Sequence, residues 1–90
     1  MKIGIVGLLG KGIARLSLEF QEHEIEKVEH ERLVSGRAIA SKYGLLVLNV
    51  RFMSHKHTAG MRAPNIVNCY GSVTRVAETI REFIKERVGA

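Results

Sequence analysis

The residues from Asn49 to Pro64, NVRFMSHKHTAGMRAP, hold the densest set of side chains able to do chemistry in this chain. They include Arg51, Ser54, His55, Lys56, His57 and Arg62, and there is no acid among them. Cations and hydroxyls without carboxylates can hold an anion and raise its local concentration. A neutral imidazole such as His55 is nucleophilic near pH 7 and could accept a phosphoryl group. His55 and His57, with Cys69 and His30, could ligate a metal, but zinc asks for three or four ligands in a recognisable spacing. Lys56, Arg51 and Arg62 would also repel a cation. Ser54 or Cys69 beside a histidine supplies two parts of a nucleophilic device. The acid that would orient the base could come only from Glu29 or Glu31. The residue types therefore favour binding over catalysis, and no catalytic residue, metal or cofactor is assigned.

Charge distribution sharpens that reading. The chain carries a net charge of +5 and no aspartate. Of its nine acids, six glutamates lie between Glu19 and Glu31 and three between Glu78 and Glu86. From Arg32 to Ala77 there is none, whereas Arg32, Arg37, Lys42, Arg51, Lys56, Arg62 and Arg75 all fall there. A basic surface kept soluble by charge would look the same; a concave region built for an anion is the sharper reading.

A second candidate lies near the start. Gly7-Leu8-Leu9-Gly10-Lys11-Gly12 runs from an apolar segment into a helical pattern. Glycines at Gly7, Gly10 and Gly12 let backbone approach a phosphate, Lys11 adds charge, and free N–H groups at a helix start favour anions. The spacing is neither GxGxxG nor the GK[ST] ending of a P-loop. Without aspartate, a magnesium site of the nucleotide-hydrolase kind is disfavoured. Glycines that only permit a tight turn are the plain alternative. Glu29 or Glu31 stands where dinucleotide-binding folds place a ribose-binding acid.

These residues need elements to position them. KIGIVG reads as a buried strand ending in glycine. Leu9, Ile13, Leu16 and Phe20 then fall on one helical face. EIEKVEHERL, with apolar residues only at Ile25, Val28 and Leu33, suits an edge strand. SGRAIASKYG can form a short helix opened by Ser35. YGLLVLNV, Tyr43 to Val50, is apolar on both faces and so reads as a central parallel strand. SHKHTAGMR forms a short helix or ordered loop before Pro64, and NIVNCY a last strand. Val73, Val76, Ala77, Ile80, Phe83 and Ile84 fill one stripe of a final helix, with Ser72 as its N-cap.

The alternation implies one α/β domain over residues 1–90: a small four-stranded parallel sheet in order 2-1-3-4, helices on both faces, Rossmann-like or flavodoxin-like. Ligands of such sheets bind outside the carboxyl ends of the strands. The glycine loop, His30 with Arg32, the group from Arg51 to His57, and Tyr70-Gly71-Ser72 all follow strands, so they converge on one edge.

Composition limits the alternatives. The chain is 46% hydrophobic and 26% charged, with one proline and one cysteine. Cys69 alone forms no internal disulfide framework. Lys11 and Arg15 interrupt any signal-peptide core, and no segment approaches the roughly 20 apolar residues of a membrane span. A cytoplasmic protein without membrane association is expected. A chain this short buries about 60–65% of its unfolded surface, so self-association into a homo-oligomer would add needed core. A sequence pI of about 9.8 suits nucleic acid. However, Tyr43, Phe52 and Tyr70 make a poor base-stacking platform, leaving phosphate contacts to carry such binding.

The chain resembles a family of small bacterial α/β proteins known only as a domain of unknown function. The likeness rests on KIGIVG, VEHERLVSGR, VLNVRFMSHKH and GSVTRVAETI, and covers most of the sequence. It implies that His30, Ser54, His55 and Ser72 occupy recurrent polar positions. The sequence departs from that pattern at Lys42-Tyr43-Gly44, where the family has an acid. The family lends a fold and an edge, but no activity.

The expectation is then a non-catalytic module that binds a phosphorylated small ligand, of nucleotide or nucleotide-signal type, as a sensor or sequestering protein. Backbone N–H groups of the loop with Gly7, Gly10, Lys11 and Gly12, together with Ser72, Arg51, Lys56 and Arg62, would hold the anion; Ser54 and His55 would orient it, and His30 belongs to the same binding set. Nucleic-acid binding by the basic face is the alternative, and phosphotransfer at His55 the third reading.

Overall fold

The structure, a computed structural model, describes residues 1–29, 41–50 and 63–89. Four strands, β1 (Lys2–Val6), β2 (Glu24–Val28), β3 (Leu45–Asn49) and β4 (Ile66–Cys69), form one sheet in order β2-β1-β3-β4. All three pairings are parallel; Ile3 of β1 stands opposite Ile25 on one side and Leu45 on the other. Strand order and pairing are those of a small Rossmann-like α/β sheet. Helix α1 (Gly10–Glu19) follows β1, and helix α2 (Val73–Gly89) follows β4.

Side-chain alternation along the strands decides what each face carries. Ile3, Ile5, Leu45, Val47 and Cys69 point to one face, where Leu16 and Phe20 of α1 and Val76, Ala77 and Ile80 of α2 cover them. Val6, Val28, Leu46 and Leu48 point to the other, with Tyr43. Every residue of β3 is buried, as a central parallel strand requires. Each fully buried Leu or Ile contributes on the order of 1.5–3 kcal/mol relative to exposure.

Both described helices pack on the same face. The two short helices expected at 35–44 and 54–62 fall largely outside the described residues. The α2 stripe is as expected: Val76, Ala77 and Ile80 are buried, and Val73, Phe83 and Ile84 pack against them. The α1 stripe needs one correction. Ile13, Leu16 and Phe20 face the core, but Leu9 is 77% exposed. The helix begins at Gly10, so Leu9 is the N-cap in extended conformation (φ −76°, ψ 160°), and its side chain leaves the stripe. An Arg81–Glu19 ion pair joins the two helices at the surface.

Two asparagines tie the ends of β3 to its neighbours. At the amino end, Asn65 Nδ2 donates to the Tyr43 carbonyl at 3.0 Å. At the carboxyl end, Asn49 does the equivalent across the loops that build the candidate site. Among the described residues, no helix is long and apolar enough to cross a membrane.

Candidate functional site

Helix α1 starts without a side-chain cap. The Leu9 carbonyl accepts from Gly12 N–H (3.0 Å) and Ile13 N–H (3.1 Å), opening the helical ladder. The N–H groups of the first turn lie ahead of any intrahelical acceptor and carry the positive end of the helix dipole. At the start of helix α2 the Ser72 carbonyl accepts from Val76 N–H at 3.1 Å. Neither helix has an acid in its first turn. Natural N-termini often carry one because it offsets the dipole, so both ends here keep their positive field.

The two starts come together through Asn49. This amide is fully buried at the end of β3. Its Nδ2 donates to the carbonyls of Gly7 (3.2 Å) and Gly71 (3.0 Å), and its Oδ1 accepts from Gly71 N–H at 3.4 Å. Two carbonyls can only accept, so the amide nitrogen must face them. One side chain thereby fixes the loop after β1 against the loop after β4. Both partners must be glycine. Gly7 has φ +84°, and a Cβ there would lie 2.8 Å from the Asn49 carbonyl oxygen; Gly71 has φ +151°. L-residues avoid such conformations, and at Gly7 the contact forbids a side chain outright.

Over this clasp lies a cavity of about 550 Å³, within the usual range for a small-molecule site. Gly7, Leu8, Leu9, Lys11 and Gly12 line it from the first loop; Gly71, Ser72 and Val73 line it from the last. Lys27, Val28 and Glu29 close it from the end of β2. The walls are mainly apolar, with Lys11, Lys27, Glu29 and Ser72 as the polar side chains. Lys27 Nζ and Glu29 Oε1 are 3.6 Å apart. Lys11 has no ion-pair partner among the described residues.

The structure thus brings together Gly7, Lys11, Gly12 and Ser72 of the expected binding set. Gly10 opens α1 but does not line the cavity, and it is exposed. His30, Arg51, Ser54, His55, Lys56 and Arg62 lie outside the described residues. Several residues enter that the sequence did not single out for binding, among them Asn49, Lys27 and Val28. Asn49 was legible only as a polar residue closing an apolar strand. Lys27 and Val28 read as ordinary edge-strand positions. Glu29, noted for its place after the second strand, does line the cavity.

Another cavity, of about 260 Å³, lies against the outer side of β4 and α2. Its polar groups largely satisfy one another: Arg75 pairs with Glu78 at 3.2 Å, and Thr79 Oγ1 donates to the Arg75 carbonyl at 2.9 Å. Cys69 lies beside it, and burial pushes its thiol pKa up, against smaller lowering effects from Thr79 and Arg75. A thiol held protonated is a poor nucleophile and a poor metal ligand. Among the described residues, no three metal-ligating side chains gather.

No family model, curated protein or solved structure matches the chain, so the site is argued from its own residues.

Proposed function

We propose that this protein binds a phosphorylated small ligand of the nucleotide kind at the carboxyl edge of its sheet, without transforming it, as a cytoplasmic sensor or sequestering protein. The observation that carries the reading is the convergence of two acid-free helix starts on one cavity that also holds Lys11. Each helix N-terminus offers several N–H donors to one anion. Hydrogen bonds to a charged group contribute about 1.5–3 kcal/mol each, so two or three suffice for micromolar affinity. Apolar walls at Leu8, Val28 and Val73 suit the uncharged part of such a ligand. Arg51, Lys56, Arg62, Ser54, His55 and His30 would add to the anion's shell from the same edge.

Calorimetric titration with nucleoside mono- and diphosphates at two salt concentrations tests this. A ligand seated in the cavity keeps most of its affinity as salt rises, because enclosed charges are weakly screened. Affinity that falls by orders of magnitude, and grows with oligonucleotide length, would favour nucleic-acid binding instead.

A further inference from the structure

Among the described residues lining the larger cavity, Glu29 is the only acid. A site for a bare anion gains nothing from a carboxylate, which repels the ligand. The position makes sense if the ligand presents hydrogen-bond donors there, because an ionised carboxylate can only accept. Lys27, 3.6 Å away, steadies the carboxylate at the cavity mouth.

Placement supplies the ligand's shape. The two helix starts follow β1 and β4, and Asn49 at the end of β3, between those strands, clasps Gly7 and Gly71. Glu29 directly follows β2, on the other flank of β1. Neighbouring strands are about 4.8 Å apart, so the anionic end and the donor end of the ligand lie roughly 5–10 Å from each other. Between and around them the walls are apolar. A molecule with a phosphate, hydroxyls a short span away, and a flat apolar portion is a nucleoside phosphate. In doubly wound sheets, an acid about 20 residues beyond the first glycine loop accepts from ribose hydroxyls.

We propose that Glu29 accepts hydrogen bonds from the vicinal hydroxyls of a ribose, so that the cavity takes a ribonucleoside phosphate in preference to its 2′-deoxy counterpart. This inference rests on the reading of the cavity as a phosphate-binding site. Glu29 is exposed, its side chain 61% accessible, so the expected preference is about tenfold rather than more.

The test is calorimetric titration of the full chain with ADP, GDP, CDP and UDP, each against its 2′-deoxy form, with ribose 5-phosphate and pyrophosphate as further probes. At least one ribonucleotide binds about tenfold tighter than its deoxy form. In Glu29→Ala that ratio collapses to near one, because the ribo form loses more affinity than the deoxy form, which offers only its 3′ hydroxyl. In Lys27→Ala the ratio persists, whatever happens to overall affinity. Equal ribo and deoxy affinities in the unaltered protein overturn the inference but leave phosphate binding standing, as does a preference that survives Glu29→Ala. Ribose 5-phosphate binding as tightly as any nucleotide makes the ligand a sugar phosphate and overturns the nucleoside assignment. If none of the probes binds, pyrophosphate included, both the inference and the reading beneath it fail.

Discussion

Asn49 and Gly71, 22 residues apart in the chain, hold each other through two hydrogen bonds: Asn49 Nδ2 to the Gly71 carbonyl at 3.0 Å, and Gly71 N–H to Asn49 Oδ1 at 3.4 Å. With the further bond to Gly7, this amide joins the two loops that carry the helix starts. Asn49→Ala leaves the carbonyls of Gly7 and Gly71 and the Gly71 N–H short of a partner. Stability should fall by about 1–3 kcal/mol, measured by denaturant midpoint, and ligand affinity should fall with it.

Asn49→Asp should add a pH signature. A carboxylate facing two carbonyl oxygens disfavours its charged form, so the folded state raises its pKa above the unfolded value of about 3.9. The unfolded chain then binds fewer protons above that pH, and stability declines as pH rises through the interval between the two pKa values. The variant should approach the parent in stability at acid pH and fall away from it toward neutrality. A constant difference between the two proteins across that range would contradict this account of the clasp.

Gly7→Ala should be worse than a loop substitution normally is. The new Cβ meets the Asn49 carbonyl oxygen at 2.8 Å, and the backbone sits at φ +84°. Left-handed geometry alone costs an L-residue about 1–2 kcal/mol, before the clash is counted. Thermal melting would register a loss of several degrees. Gly10→Ala, in open space at the start of α1, should be neutral or slightly stabilising.

Lys11→Ala should weaken nucleotide binding about tenfold in calorimetry and leave the melting temperature nearly unchanged, because the side chain is exposed. Affinity equal to the parent's would remove Lys11 from the anion's shell.

Much of the fold was legible because burial writes a clear pattern. YGLLVLNV is apolar on both faces, which only a central strand of a covered sheet accounts for. Val73 to Ile84 keep a single helical stripe. Leu9 misled because an N-cap residue shares the stripe's spacing without its backbone conformation. The site was half legible. The glycine loop and Ser72 announce helix starts, and the topology rule brings them to one edge. Asn49 escaped because its value lies in two loops distant in sequence, whose closeness only the folded sheet creates. Lys27 escaped because a glutamate-rich edge strand with one lysine looks the same whether or not a cavity opens beside it.

The central claim is that the cavity over the Asn49 clasp holds a nucleotide's phosphates and leaves them unchanged. Phosphorus NMR of nucleoside diphosphates titrated with the protein measures both parts at once. At least one probe's resonances should shift or broaden to saturation at one ligand per cavity, need about tenfold more ligand to do so in Lys11→Ala, and keep a constant total area for hours. Resonances that stay unmoved by excess protein for every probe, or product signals that grow beyond one equivalent of protein, would contradict the account.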